Sequence, residues 1–200
     1  MEIIELFPTV VGKTQLDMNF NKNEEDTFRS FKMTSNYYNI CSEDNYVLNH
    51  ENLKILKQQI TQKCQQFIEK IYDPNPADRV KIYITQSWIN ITKKDQSHHP
   101  HKHPNSFISG VLYLKGDDEV ITFSKSDHKM IQIIPQEWTR YNSNQWKLPV
   151  KKNDIVLFSS DLEHYVPKNE KDSMRVSLSF NTFLSGNFGN PDELTELEIN

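Results

Sequence analysis

The chain has 200 residues, 23 Lys and Arg against 27 Asp and Glu, a net charge of −4 and 36% apolar residues. That profile fits one soluble domain and argues against a nucleic-acid surface, which needs a basic face. No run of about 18 apolar residues exists to cross a membrane, and MEIIELFPTV lacks the basic start and apolar core of an export signal. Cys41 and Cys64 are therefore expected as reduced thiols in a cytoplasmic protein.

Neither an internal repeat nor a Gly/Ser linker divides the chain, so residues 1–200 are expected to form one domain. Residues 1–79 would supply an N-terminal extended segment and helices, 80–184 the β core, and 185–200 a C-terminal tail. In chain order, IIELFPTVVGKTQL (3–16) reads as an extended lead-in broken at Pro8, and 17–48 carries no periodicity that assigns it. From 51 to 72, Leu53, Leu56, Ile60, Cys64, Phe67 and Ile71 recur at steps of three and four, which predicts one helix capped by Asn49 or Asn52 and stopped by DPNP. The period then changes to two, and strands are predicted at 80–92, 107–114, 119–124, 130–134, 154–160 and 174–184. A helix followed by many short strands predicts a mainly β sandwich or barrel with a helical buttress on one sheet.

Four of the seven histidines lie in HHPHKH (98–103). Residues two apart on a strand share a face, about 7 Å apart along the chain, so His101 and His103 point together. His99 is in phase with both, which leaves the binding pair open, although Pro100 interrupts the strand between them. Neutral imidazoles suit a borderline divalent metal, and two need a third ligand from elsewhere. His164, in DLEHYVP after the strand at 154–160, stands at a comparable strand-to-loop junction. His128 sits in the polar turn SKSDHKM and reads as surface. The competing reading of HHPHKH is a solvated loop.

In MRVSLSFNTF, Arg175, Ser177, Ser179 and Asn181 fall on one face, and Met174, Val176, Leu178, Phe180 and Thr182 on the other. A closed β structure encloses both faces, so the polar one would line a wet cavity. There the planar fork of Arg175 suits a carboxylate, with Ser177 as a second donor. Glu163, one residue from His164, would point to the opposite face. Trp88 reads as a cavity-wall residue, and Trp138, Tyr141 and Trp146 as candidates for an aromatic lip.

The segments HKHPNSFISGVLYL, VLFSSDLEHYVPKN and RVSLSFN together resemble the iron(II)/2-oxoglutarate oxygenase superfamily. The likeness is greatest to its small members in phages and marine bacteria; a phage-encoded protein would work in the cytoplasm of its host. The resemblance implies a double-stranded β-helix (jelly roll) and a 2-oxoglutarate-dependent dioxygenase, a hydroxylase that forms succinate and CO2 from 2-oxoglutarate and O2. It implies Fe(II) on His101, His103 and His164. Arg175 falls on the clamp for the far carboxylate of 2-oxoglutarate, with Ser177 beside it and Asn90 as a further contact. His103 stands where most of the superfamily has a carboxylate, and three imidazoles also suit zinc. The alternatives are a cupin-like metal enzyme without oxygenase activity and a non-catalytic scaffold. The prime substrate is not legible, and an exposed helix stripe or sheet edge leaves room for a homodimer.

Overall fold

The computed structural model describes residues 1–17, 19–116, 118–125, 131 and 133–200. Strand β1 (Val11–Gln15) closes the lead-in. Helix α1 (Lys22–Ser30) follows, in the segment that periodicity left unassigned. Its start is a capping box: Asn21 Oδ1 accepts the Glu24 N–H at 3.0 Å, and the Asn21 N–H donates to the Glu24 carboxylate at 2.8 Å. The hairpin β2 (Met33–Asn36) and β3 (Asn39–Ser42) comes next.

Helix α2 (Lys54–Tyr72) buries Leu56, Ile60, Cys64 and Ile68, with Leu53 buried just before it. Each such aliphatic side chain contributes about 1.5–3 kcal/mol of burial. Phe67 is partly buried and Ile71 is 38% exposed, so Ile68 takes the place predicted for Ile71. Neither Asn49 nor Asn52 caps the helix, a correction to the predicted start. Two successive 3₁₀ turns, Val47–Asn49 and Glu51–Leu53, lead into it. The asparagines are engaged elsewhere: Asn49 Oδ1 accepts Lys57 Nζ at 2.7 Å, and Asn52 Nδ2 donates to Thr27 Oγ1 at 3.0 Å.

The strands that follow are β4 (Lys81–Thr92), β5 (His98–His101), β6 (Ile108–Lys115), β7 (Glu119–Ser124), β8 (Gln145–Val150), β9 (Asp154–Ser159), β10 (Glu163–Val166), β11 (Arg175–Phe188) and β12 (Leu197–Ile199). They form two antiparallel sheets. The larger runs β1-β9-β6-β11-β4-β3-β2, with β12 joined to the distal end of β11; the smaller runs β5-β10-β7-β8. This is the jelly roll that the resemblance implied, buttressed by α2 against β4. The strand predicted at 130–134 is not found: Ile131, Ile133 and Ile134 lie in no strand and are exposed, while Met130 and Gln132 lie outside the described residues. The β structure also continues past residue 184, since β11 extends to Phe188 and pairs with β12.

Apolar packing divides into two bodies. Leu56, Ile60 and Cys64 of α2 pack on Ile84, Leu112, Leu157, Leu178 and Phe180, the helix-facing side of the large sheet. Gly110 leaves room within the sheet for the Phe180 ring to lie across β6, because a Cβ there would stand 2.3 Å from Phe180 Cζ. Between the sheets lie Tyr113, Ile121, Phe123, Val156 and Phe158. That second core fills only the β6–β9 side of the inner face. Towards β11 and β4 the inner residues are polar, and there the sheets enclose a cavity.

Candidate metal centre

Pairing across the large sheet arranges the inner polar residues in rows. Arg175 lies opposite Thr92; Ser177 between Asn90 and Tyr113; Ser179 between Trp88 and Val111; Asn181 between Gln86 and Ser109. The small sheet covers these rows. Its β5–β10 pairing sets His101 opposite His164, and the His103 N–H, two residues beyond β5, donates to the Ser160 carbonyl at 2.9 Å. Three histidines from two distant segments thus converge, with ligand atoms of His101, His103 and His164 all within 4.8 Å of one another.

Their hydrogen bonds select one tautomer. Nδ1 of His101 donates to the His99 carbonyl at 2.8 Å, Nδ1 of His164 to the Leu162 carbonyl at 3.0 Å, and Nδ1 of His103 to Asn181 Oδ1 at 2.5 Å. A carbonyl can only accept, so in each neutral ring the Nε2 lone pair is free to bind a cation. The Nε2 atoms of His101 and His103 stand 3.1 Å apart. Two such lone pairs repel one another unless a proton or a cation lies between them. Ligands about 2.0–2.1 Å from one ion, at right angles or somewhat wider, are separated by about 3 Å, so the donor set fits a borderline divalent metal. Burial keeps the rings neutral: it lowers His101 below its ordinary value, His103 to about 4 and His164 to about 3.

The cavity runs inward from this cluster. Its wall includes Trp88, Asn90, His98, Ser177 and Ser179, and Arg175 stands at the far end. Arg175 is 4% exposed; its Nη2 donates to Thr92 Oγ1 at 3.0 Å and its Nη1 lies 3.6 Å from Glu119 Oε2. Burial lowers its pKa, opposed by Tyr113 and Glu119. Lys171 Nζ approaches the same carboxylate at 3.6 Å. Arg175 is the buried cation of this end of the cavity. The space enclosed is about 30 Å³, room for one or two waters, so a larger guest requires wall side chains to part.

Residues 86–181 match the model of a family described as "Putative 2OG-Fe(II) oxygenase". This stretch belongs to the 2OG-Fe(II) oxygenase superfamily. It spans the three histidines, Asn90, Arg175 and Ser177. No curated protein matches the chain. Among solved structures, a 2OG-Fe(II) oxygenase family oxidoreductase from Burkholderia pseudomallei is 15% identical, covering 86% of this chain and 84% of that one at a TM-score of 0.57. HygX from Streptomyces hygroscopicus, crystallised with nickel, 2-oxoglutarate and hygromycin B, is 11% identical over 87% and 82% at 0.54. SnoK, a non-haem α-ketoglutarate-dependent carbocyclase of nogalamycin biosynthesis, is 11% identical over 89% and 82% at 0.58. At these identities the likeness is one of fold.

Within the matched stretch, the six site residues expected from the sequence line one cavity or its mouth. His99 is the departure. It is exposed, its ring tilted 5.2 Å from that of His101, while His98 stacks on His101 with ring centroids 4.4 Å apart. The register of β5 against β10 shifts across Pro100, so strict alternation fails there. Glu163 turns away to accept Ser124 Oγ at 2.5 Å. Trp88 is in the wall and stacks on His103 at 5.6 Å. Trp138, Tyr141 and Trp146 are each more than half exposed and none lines the cavity, which corrects the aromatic lip. His128 lies outside the described residues.

Residues that the sequence reading missed surround His103. Asn181 Oδ1 also accepts Ser109 Oγ at 3.0 Å, Asn181 Nδ2 donates to Gln86 Oε1 at 3.1 Å, and Ser109 Oγ meets Ser160 Oγ at 2.8 Å. The one available signal was that Asn181 shares a strand face with Arg175. An outer partner of this kind holds a ligating ring in place and is worth about 10–100-fold in metal affinity. Asn181→Leu is therefore expected to weaken Zn(II) or Co(II) binding by about that factor in a chelator competition; unchanged affinity would remove the role.

Proposed function

We propose that this oxygenase hydroxylates an organic substrate, with Fe(II) held by His101, His103 and His164, 2-oxoglutarate as cosubstrate and O2 as oxidant. The observation that carries the proposal is the convergence of three Nε2 lone pairs at one end of a polar cavity whose other end holds a buried arginine. When bound, iron with 2-oxoglutarate supplies the oxidation, one oxygen atom of O2 entering succinate as CO2 leaves and the other entering the substrate.

The chain's own residues bind and shield. Arg175 pairs with the far carboxylate of 2-oxoglutarate, Ser177 donates a hydroxyl beside it, and the Asn90 amide contacts the diacid from β4. The narrow cavity opens for it by movement of Trp88 and His98, the wall rings nearest the histidines. Val111 and Ile121 are apolar wall residues that exclude water. No acid–base pair is required, and none is assigned. Three neutral imidazoles in place of two with a carboxylate leave the metal one unit more positive, which favours a dianionic chelator.

SnoK shares the fold and is a carbocyclase, so product identity must be read directly. No described helix is long and apolar enough to cross a membrane. Cys41 and Cys64 are free thiols, and burial pushes Cys64 up to about 12, which leaves it inert; the reduced thiols support a cytoplasmic setting.

Anaerobic titration with Fe(II) and then 2-oxoglutarate is expected to raise a weak visible charge-transfer band. Admission of O2 is expected to convert 2-oxoglutarate to succinate. Tight Zn(II) binding with no 2-oxoglutarate affinity would instead support the cupin-like alternative.

A further inference from the structure

Among the described residues, four buried side-chain atoms lack a hydrogen-bond partner: Asn39 Nδ2, Gln59 Oε1, Asn90 Oδ1 and Thr122 Oγ1. Two of the four, Asn39 and Asn90, belong to the wall of the metal-centre cavity. A buried unpaired amide costs free energy that an apolar residue of the same shape would not. Asn39 is 2% exposed. It comes from β3, in the N-terminal hairpin outside the family match at 86–181.

Register gives its position. Ile40 pairs with Ile91 and Cys41 with Asn90, which sets Asn39 across from Thr92, and Thr92 lies opposite Arg175. Asn39, Thr92 and Arg175 therefore form one row on the inner face, at the cavity end remote from the histidines. The Asn39 amide is oriented by its other atom: Oδ1 accepts Asn36 Nδ2 at 3.3 Å, which leaves Nδ2 as the unpaired donor. A guanidinium and an orphaned N–H donor in one buried row suit a carboxylate, which only accepts when ionised.

We propose that Asn39 is a carboxylate-binding residue, donating Nδ2–H to the far carboxylate of the cosubstrate beside Arg175. The N-terminal hairpin thereby completes a cosubstrate site otherwise built from the oxygenase core. This rests on the reading of the cavity as a 2-oxoglutarate site.

The test measures binding to the Zn(II)-loaded full chain by calorimetry, with 2-oxoglutarate and with 2-oxopentanoate, which lacks the far carboxylate. Asn39→Leu is expected to weaken 2-oxoglutarate about 10–100-fold and to leave 2-oxopentanoate unchanged. Without ligand, its melting temperature is expected to stay level or rise, because removal of the orphaned Nδ2 donor offsets loss of the long Asn36 bond. Asn39→Asp is expected to weaken 2-oxoglutarate further by repulsion, and serves if the leucine variant does not fold. Equal 2-oxoglutarate affinity in the wild type and whichever variant folds would overturn the inference. Parallel losses for both oxoacids would also overturn it, as the mark of a structural role. If the wild type binds metal but no 2-oxoglutarate, the functional reading fails first and takes this one with it.

Discussion

His164→Ala will bind a divalent cation at least about a hundredfold more weakly than the wild type in a competition titration, with loss of any Fe(II)-dependent turnover of 2-oxoglutarate. A ligand contributes more than its outer partners, whose removal already costs about 10–100-fold. His164 is also the member of the triad brought from the second segment. It is 4% exposed, packs on Phe158 with ring centroids 4.5 Å apart, and is turned by the Leu162 carbonyl. Without it, His101 and His103 remain as two ligands from one short stretch. His99→Ala is the control, because that ring is exposed and outside the converging triad, and the backbone carbonyl that accepts from His101 is retained. Its affinity is expected to match the wild type. A reversed order, with His99→Ala weak and His164→Ala unaffected, would place the metal elsewhere.

Arg175→Gln is the second variant with a large expected effect. Charge-assisted hydrogen bonds contribute about 1.5–3 kcal/mol each, so losing a two-bond clamp lowers 2-oxoglutarate affinity about a hundredfold or more. The same change removes the buried cation beside Glu119, a carboxylate only 8% exposed. Breaking one side of a buried pair costs about 3–5 kcal/mol, so a fall in stability accompanies the fall in binding. The double variant Arg175→Gln/Glu119→Gln separates the two effects: thermal stability is expected to recover while affinity does not. Recovery of 2-oxoglutarate binding in the double variant would mean that Arg175 serves the fold and not the ligand.

Elements with a long, regular period were legible without coordinates. Helix α2 and strands β4, β6, β7, β9 and β11 each carry enough apolar residues at one spacing to announce both type and buried side. Helix α1 is short and polar, and its only signal is the box from Asn21 to Glu24. Strands β2, β5, β10 and β12 have three or four residues each, too few for alternation to rise above chance, and their pairing comes from neighbours already in place. The candidate site was legible because its histidines and arginine are rare residue types at strand ends. Its supporting residues, Asn39, Ser109, Thr92 and Asn181, are common polar residues whose significance is positional.

By itself the sequence determined the residue chemistry: three imidazoles within reach of a strand mouth, an arginine on a polar strand face, and alternation that builds sheets. Only the tertiary structure decided which histidines meet, since a shift in register across Pro100 stacks His98 on His101 and leaves His99 exposed. It alone also joined Arg175 to Glu119, 56 residues away, and set Asn39, 136 residues away, in the same row across Thr92. The reason is that strand periodicity is a local property, whereas pairing register and the closure of two sheets over one cavity depend on every strand between.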